Sequence, residues 1–255
     1  MNKIDIFSIL EKLRGKIIDV HAHIGSDQRF LFRLNADNAI KVMDRFGIKK
    51  GYFSAIESLL CDYKLGNNYI LDAVNRYPDR INGLVSINPY FRDEAIDELK
   101  KYVLEYGFRG VKFHPNYFYI EPSHDLSSTV WEIMIELNVV LMNHTYDGGV
   151  EVYKIAKKFP ELTIIAYHMG GNLWKEAIDK LYELDNVYFE PSSSITDPCM
   201  IEYALKKVSI EKILFGSDIP FNDPAVSIGK ILDSTLSFND YEKIFYKNAE
   251  KLFSD

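Results

Sequence analysis

The chain has 255 residues, 47% of them hydrophobic, and a formal net charge of −7. This length allows one large domain or two small ones, and the apolar content supports a full core. The lack of a face dense in lysine and arginine argues against nucleic-acid binding. We find no apolar run long enough to cross a bilayer, no signal-peptide core, and only two cysteines, which form no CxxC pair. We therefore expect a reduced, cytoplasmic protein without nucleic-acid or membrane partners.

Short apolar runs alternate with longer amphipathic segments along the chain. The runs predict eight strands, which begin near Ile17, Gly51, Gly83, Gly110, Val139, Thr163, Val187 and Ile213. The segments between them predict helices, including Ala36–Phe46, Asn67–Tyr77 and Glu94–Tyr106, with an N-terminal helix over Ile4–Leu13 and a last helix over Tyr241–Phe253. The strand starts are 24 to 34 residues apart, which fits the roughly 25 to 30 residues of one parallel βα unit.

Eight βα units in one chain predict an α/β fold, a (β/α)₈ TIM barrel, with residues 1–255 as a single domain. A doubly wound open sheet is the competing architecture. The barrel is favoured because the candidate polar residues follow many strands rather than one switch point, and because no GxGxxG motif follows the first strand.

His21-Ala22-His23 is the most informative motif, and it ends the first apolar run. Side chains alternate along a strand, so both imidazoles project from the same face. Neutral imidazoles suit Zn²⁺ and neighbouring divalent ions. The pair alone is a weak signal, and its weight depends on what stands at the ends of the other strands.

Five of the six histidines stand at the ends of apolar runs. The further candidates at these ends are Lys112, His114, His144, His168 and Asp218. The carboxyl ends of all barrel strands meet at one mouth, so these side chains should lie beside His21 and His23. The sixth histidine, His124, is expected to be a solvated turn residue or a neighbour of a helix cap.

Crowded imidazoles lose hydrogen bonds and resist protonation unless a cation accepts their lone pairs. A divalent metal with an open coordination position resolves this and activates a water molecule. Asp218 is then placed to ligate the metal, to hold that water, or to take its proton. Lys112 either contacts the substrate or pairs with a carboxylate inside the barrel.

These motifs resemble the amidohydrolase superfamily, most closely the amidohydrolase-related branch that includes aminocarboxymuconate-semialdehyde decarboxylase. The resemblance rests on the segments 17–23, 110–115, 143–144, 167–171 and 214–218, in that order, and on the tail 244–253. It implies a metal held by His21, His23, His144 and Asp218. It also implies that His168 is a base beside the metal or the substrate, and that His114 lies near the substrate.

The pattern Lys112-Phe113-His114-Pro115 looks like the branch with one metal rather than two. We expect one divalent ion, with Zn²⁺ as the default and Mn²⁺, Ni²⁺ or Fe²⁺ as alternatives. The expected catalytic residues are Asp218, His168 and His114. Candidate substrate-binding residues are Lys112, Tyr146, Arg29 and Arg33. For the two arginines there are two alternatives: a guanidinium that binds a substrate carboxylate in a bidentate manner, or a solvated loop charge.

The preferred function is hydrolysis of an ester, lactone or amide of a small carboxylate-type substrate by metal-activated water. Asp218 would move the proton, and His168 and His114 would stabilise the oxyanion. The alternative within the same chemistry is non-oxidative decarboxylation of an unsaturated or aromatic acid. A metal-binding sensor without catalysis and a cluster of purely structural histidines are the other hypotheses. The aromatic loop 116–126 is expected either to cover a small-molecule substrate or to pack against a second subunit in a homodimer.

Overall fold

The computed structural model describes residues 6–60, 62–193 and 195–254. The strands are β1 (Ile17–Asp27), β2 (Phe32–Leu34), β3 (Ile48–Ala55), β4 (Ile81–Ser86), β5 (Gly110–Phe113), β6 (Val140–His144), β7 (Ile164–Tyr167) and β8 (Val187–Glu190). β1 and β3 to β8 pair in parallel, each with the next in the chain, and β2 pairs antiparallel with the end of β1.

The segment 213–219 closes this sheet. The backbone N–H of Leu214 donates to Phe189 O in β8 over 2.9 Å, and Val20 N–H in β1 donates to Phe215 O over 3.0 Å. Isolated parallel bridges join the same segment to both neighbours. The eighth predicted strand therefore lies in the wall between β8 and β1. The TIM-barrel prediction is confirmed, and the open-sheet alternative is wrong.

The helices pack around the barrel. They are α1 (Ile6–Leu13), α2 (Ala36–Phe46), α3 (Ile56–Leu60), α4 (Tyr63–Arg76), α5 (Asp93–Leu104), α6 (Pro115–Phe118), α7 (Asp125–Glu136), α8 (Val150–Lys158), α9 (Trp174–Leu181), α10 (Met200–Leu205), α11 (Pro224–Leu232), α12 (Phe238–Glu242) and α13 (Asn248–Leu252). None of the helices described here is both long and apolar enough to span a membrane.

Helix ends follow local capping chemistry. α2 has the predicted bounds, because Asn35 caps its start and Gly47 takes a left-handed conformation at its end. α4 begins at Tyr63, four residues before the predicted start, because the Asp62 side chain accepts hydrogen bonds from two N–H groups of the first turn.

The two terminal helices differ slightly from their predicted forms. The predicted last helix is present, but a π-helical turn over Lys243–Lys247 joins α12 to α13. The predicted N-terminal helix is observed as α1 from Ile6, and residues 4 and 5 lie outside the described residues.

An irregularity in β1 determines which way its histidines point. The pairing of β1 with β3 shifts register between Asp19 and Ala22. Val20 packs in the apolar cluster inside the barrel, and His21 and His23 line the cavity above it. A regular strand would direct Val20 and His21 to opposite faces, so the bulge turns both histidines inward.

The β1–β2 hairpin was not predicted. Its register pairs Gly25 with Leu34 and Asp27 with Phe32. The hairpin extends β1 beyond the barrel wall and carries Phe30 and Phe32 to the rim of the mouth.

Candidate active site

The predicted strand-end residues converge on a single cavity of about 750 Å³ at the mouth of the barrel. The predicted residues that line it are His21, His23, Lys112, His114, His144, Tyr146, His168 and Asp218. They come from both ends of the chain and from strands between, as the barrel geometry requires. Their chemical roles stay predictions.

His21, His23 and Asp218 form the tightest group in the cavity. The Nε2 atoms of His21 and His23 are 3.2 Å apart. Asp218 Oδ1 lies 3.3 Å from His21 Nε2 and 3.2 Å from His23 Nε2. Donor atoms bound to one ion at about 2.1 Å lie roughly 3 to 3.4 Å apart. These three residues therefore fit the coordination shell of a divalent metal.

His144 and His168 complete the ring of donors. His168 Nε2 lies 3.1 Å from His144 Nδ1. Potential ligand atoms of His21, His168 and Asp218 all lie within 4.8 Å of one another. His168 is predicted to be a base, but its distance from His21 and Asp218 would also allow it to be a metal ligand. The described residues include a His/Asp cluster suited to a divalent ion.

Three of the cavity imidazoles, those of His21, His23 and His168, are held by a hydrogen-bond partner on the side away from the cluster. His21 Nδ1 lies 2.8 Å from Glu190 Oε2, and His23 Nδ1 lies 2.9 Å from Ser54 Oγ. His168 Nδ1 donates to a backbone carbonyl, Ser192 O, over 2.8 Å. Such partners fix the ring orientation and direct the opposite nitrogen towards the cluster.

Sequence reasoning missed Glu190. It is fully buried and ends β8, so its position at the end of a predicted strand was the signal that could have found it. Unlike the histidines, a lone glutamate at a strand end is not by itself a typical metal-site signal. Burial raises the pKa of Glu190 to about 8, against the hydrogen bonds from Ser192 that lower it.

Burial also keeps the imidazoles neutral. Desolvation lowers the pKa of His21 and His144 well below the usual histidine value, and it lowers the pKa of His168 to about 4. Neutral imidazole is the form that binds metals. Burial alone would raise the pKa of Asp218, but the hydrogen bond with His23 and the nearby Lys112 ammonium hold it below its usual value.

Lys112 lies at the base of the cavity. Its Nζ donates to His21 Nε2 over 3.0 Å and lies 4.3 Å from the centre of the Tyr167 ring. Burial lowers the pKa of Lys112 to about 7, although Asp218 and Glu190 act in the opposite direction. Lys112 therefore contacts the candidate metal centre as well as the cavity.

The remaining predicted residues divide into two groups. His114 stacks on His144 with ring centres 3.7 Å apart, and Tyr146 stacks on the other side at 4.8 Å. Arg29 and Arg33 are not among the described residues that line the cavity. The Arg29 guanidinium donates to the Asp27 carboxylate and to the Tyr117 hydroxyl.

Three phenylalanines form an apolar wall at the rim, which we call the phenylalanine wall: Phe30, Phe32 and Phe221. The ring of Phe221 lies 4.9 Å from that of Phe32 and 5.5 Å from that of Phe30. It also meets His23 edge to face at 5.6 Å. An apolar surface therefore adjoins the histidine cluster directly.

The fold and the site together define a (β/α)₈ barrel with a histidine- and aspartate-rich centre at the carboxyl ends of its strands. The sequence model of the family described as "Amidohydrolase" matches residues 18–254 of this chain. The chain belongs to the amidohydrolase family.

Several proteins resemble this chain along most of its length. A gamma-resorcylate decarboxylase from Polaromonas sp. strain JS666 is 22% identical over 283 aligned positions, covering 85% of this chain and 86% of that protein. The crystal structure of a dihydroxybenzoic acid decarboxylase from Polaromonas sp. JS666, with bound manganese and 2-nitroresorcinol, has a TM-score of 0.76 and 20% identity over 94% of this chain and 97% of its own. A putative amidohydrolase from Staphylococcus aureus has a TM-score of 0.79 and 16% identity over 94% of this chain and 100% of its own.

Proposed function

We propose that this protein is a metal-dependent, non-oxidative decarboxylase of an aromatic acid. The observation that carries the proposal is the contact between the His/Asp cluster and the phenylalanine wall within one cavity. An aromatic ring can pack against the wall while its polar substituents reach the cluster. The decarboxylases among the relatives support this reaction over the hydrolysis that we preferred from the sequence.

We propose His21, His23, His144 and Asp218 as the residues that hold one divalent ion. The relative whose structure contains manganese supports Mn²⁺. Histidine and carboxylate ligands are also typical of Zn²⁺ sites, so zinc is the other candidate. When bound, the ion supplies a Lewis acid that orients and polarises oxygen substituents of the substrate.

The chain's own residues then carry the proton. The side-chain amide of Asn222 donates to Asp218 Oδ2 over 3.3 Å, which leaves Oδ1 directed at the histidine cluster. In the proposed step, Asp218 relays a proton from solvent to the ring carbon that bears the carboxylate, since its lowered pKa leaves it ionised between turnovers. That carbon–carbon bond breaks, its electron pair returns to the ring, and CO₂ leaves. Proton uptake and CO₂ release balance, with no oxidant or reductant.

Other residues bind and orient the substrate. Lys112 is the one lysine or arginine among the described residues that line the cavity, so it is the proposed electrostatic partner of the substrate. Tyr146 and His114, stacked on either side of His144, limit the movement of that ring. The phenylalanine wall excludes water from the side of the cavity next to His23.

The test is a panel assay on protein loaded separately with Mn²⁺ and Zn²⁺. Carboxyl-labelled hydroxybenzoic acids, including 2,6-dihydroxybenzoate, are assayed for labelled CO₂, and aryl esters and lactones are assayed for released carboxylate. We expect metal-dependent CO₂ release that Asp218→Asn abolishes and that the exposed-site control Asp233→Asn preserves. Ester or lactone cleavage without CO₂ from any aromatic acid would overturn decarboxylation in favour of hydrolysis.

A further inference from the structure

The segment Pro191–Ser193, directly after β8, contacts two of the site histidines. The Ser192 carbonyl accepts the hydrogen bond from His168 Nδ1 over 2.8 Å. The Ser192 hydroxyl lies 3.1 Å from His21 Nδ1 and donates to Glu190 Oε2 over 2.8 Å. One residue thus orients two imidazoles, through its backbone and through its side chain.

This segment is held from outside the barrel by Lys230, which lies on α11. Lys230 Nζ donates to Pro191 O over 2.7 Å and to Ser193 O over 3.2 Å. These two carbonyls flank Ser192 on either side. A single ammonium group therefore fixes both peptide planes next to the residue that contacts His21 and His168.

The environment of Lys230 makes the contact costly to replace. Burial lowers the pKa of Lys230 to about 8, while Glu190 and Asp197 act in the opposite direction. Carbonyl groups that are withdrawn from water need a donor, and an apolar side chain at position 230 would leave both unpaired.

We propose that Lys230 is a positioning residue of the active site. Through Pro191–Ser193 it holds Ser192 where the carbonyl and hydroxyl fix the rings of His168 and His21. Its effect on turnover rests on the proposed function, but its effect on the two rings does not depend on which bond the enzyme breaks.

Lys212 provides a matched control. Its Nζ donates to Asp185 O, just before β8 begins, and packs 4.3 Å from the centre of the Tyr188 ring. Lys212 and Lys230 therefore bind backbone carbonyls at opposite ends of the same strand. Lys212 lies at the amino end of β8, remote from the site histidines. Lys230 lies at the carboxyl end, where it holds the segment that contacts them.

The experiment compares Lys230→Met, Lys230→Arg and Lys212→Met in the full chain. Metal affinity is measured by competition between the protein and a chelator for Mn²⁺ or Zn²⁺. Loss of a partner that orients a metal-binding histidine costs about 10- to 100-fold in affinity or activity, and we expect a loss of this size for Lys230→Met. Lys230→Arg keeps the charge and two donors and should recover most of it, whereas Lys212→Met should match the wild type.

Three further readouts separate positioning from general stability. We expect kcat to fall in Lys230→Met with little change in KM. The exchange of the His168 Nδ1–H proton, followed by NMR without metal, should quicken because its acceptor is no longer fixed. The melting temperature is recorded for every variant, and Lys230→Gln, which keeps one donor group, replaces Lys230→Met if that variant does not fold.

The outcomes are distinct. Wild-type metal affinity and proton exchange in a folded Lys230→Met or Lys230→Gln protein would overturn the positioning role. An equal loss in Lys212→Met would also overturn it, because strand stability would then explain the effect. A wild type that binds metal but releases no CO₂ would overturn the decarboxylase function, and the metal and NMR readouts would still test Lys230.

Discussion

His21 Nδ1 and Glu190 Oε2 lie 2.8 Å apart, and both side chains are buried. The other nitrogen of the same ring, Nε2, faces His23 and Asp218. A carboxylate that accepts from one nitrogen fixes the tautomer and makes the opposite nitrogen a better metal ligand. Glu190 therefore affects how strongly His21 can bind a metal, although Glu190 is not itself one of the proposed metal ligands.

Glu190→Gln should weaken metal binding. Glutamine keeps the shape of the side chain but cannot ionise, whereas a cation bound at the cluster would favour the carboxylate form of Glu190 despite its raised pKa. A loss of about 10- to 100-fold in metal affinity is typical of such partners. Competition with a chelator measures the effect. Ser54→Ala, which removes the neutral partner of His23, should have a smaller effect because charged hydrogen bonds are stronger. The reverse order would contradict this role for Glu190.

Gly216→Ala tests the same residue by steric displacement. A Cβ at Gly216 would lie 2.6 Å from Glu190 Cδ, so the carboxylate would have to move away from His21. We expect weaker metal binding although the carboxyl group of Glu190 is retained. Gly229→Ala is the control, since a Cβ there meets nothing within 4 Å. It lies within α11 and should stabilise the fold by about 0.5 to 1 kcal/mol without affecting the metal. Unchanged affinity in Gly216→Ala would argue against the Glu190–His21 contact.

Removing the metal or its proposed ligands should abolish turnover. A chelator should suppress activity reversibly and lower the melting temperature, because an ion that binds only the folded state stabilises it. The double variant His21→Ala, His23→Ala should contain no bound metal in an elemental analysis. His124→Ala is the control, since that exposed imidazole caps α7 outside the cavity. A full metal content in the double variant would place the ion elsewhere.

Phe221→Ala should raise KM for an aromatic acid by about tenfold while kcat changes little, because a buried aromatic contact of roughly 1 to 2 kcal/mol is lost from ground state and transition state alike. Steady-state kinetics measure the effect. Phe91→Ala removes an exposed ring that packs on Tyr63 away from the cavity, and KM should not change. A KM unaffected by Phe221→Ala would mean that the substrate does not use the phenylalanine wall.

Stability should depend on pH through Glu211. The hydrogen bond from Lys243, and then that from Ser209, lowers the pKa of Glu211 to about 2. A carboxyl group whose pKa is lower in the folded state stabilises the fold above its unfolded value of about 4.3 and loses this contribution as the pH falls towards 2. Since the pair is largely exposed, we expect about 0.5 to 1 kcal/mol at most.

Urea unfolding of the wild type and Glu211→Gln measures this contribution. The wild type should be more stable at pH 7, and the difference should shrink as the pH falls from 5 to 3. A constant difference across that range would assign the effect to packing rather than to charge.

Much of the architecture could be predicted from the sequence because it depends on local periodicity. The spacing of apolar runs predicted the eight strands of the barrel. Their positions at strand ends were enough to predict that His21, His144 and Asp218 lie together at the mouth. His124 was separated from the other histidines for the same reason, since it follows no apolar run and caps α7.

Features that depend on nonlocal geometry could not be predicted. The bulge between Asp19 and Ala22 needs the partner strand to define its register. β2 is only three residues long, too short for its alternation of apolar and polar residues to predict a strand, so Phe30 and Phe32 of the phenylalanine wall lay in an apparent loop. The charge of Arg29 is visible in the sequence, whereas its ion pair with Asp27 depends on the geometry of the fold.

The closure of the barrel by the segment 213–219 has a thermodynamic consequence. Asp218 N–H donates to His21 O over 2.7 Å, and His23 N–H donates to Ile219 O over 2.7 Å. The backbone bonds that seal the ring therefore belong to the residues whose side chains form the centre. Breaking this strand pairing would separate the Asp218 carboxylate from the imidazoles of His21 and His23. An ion coordinated by both sides would therefore stabilise the closed barrel, and metal dissociation and barrel opening would be thermodynamically linked.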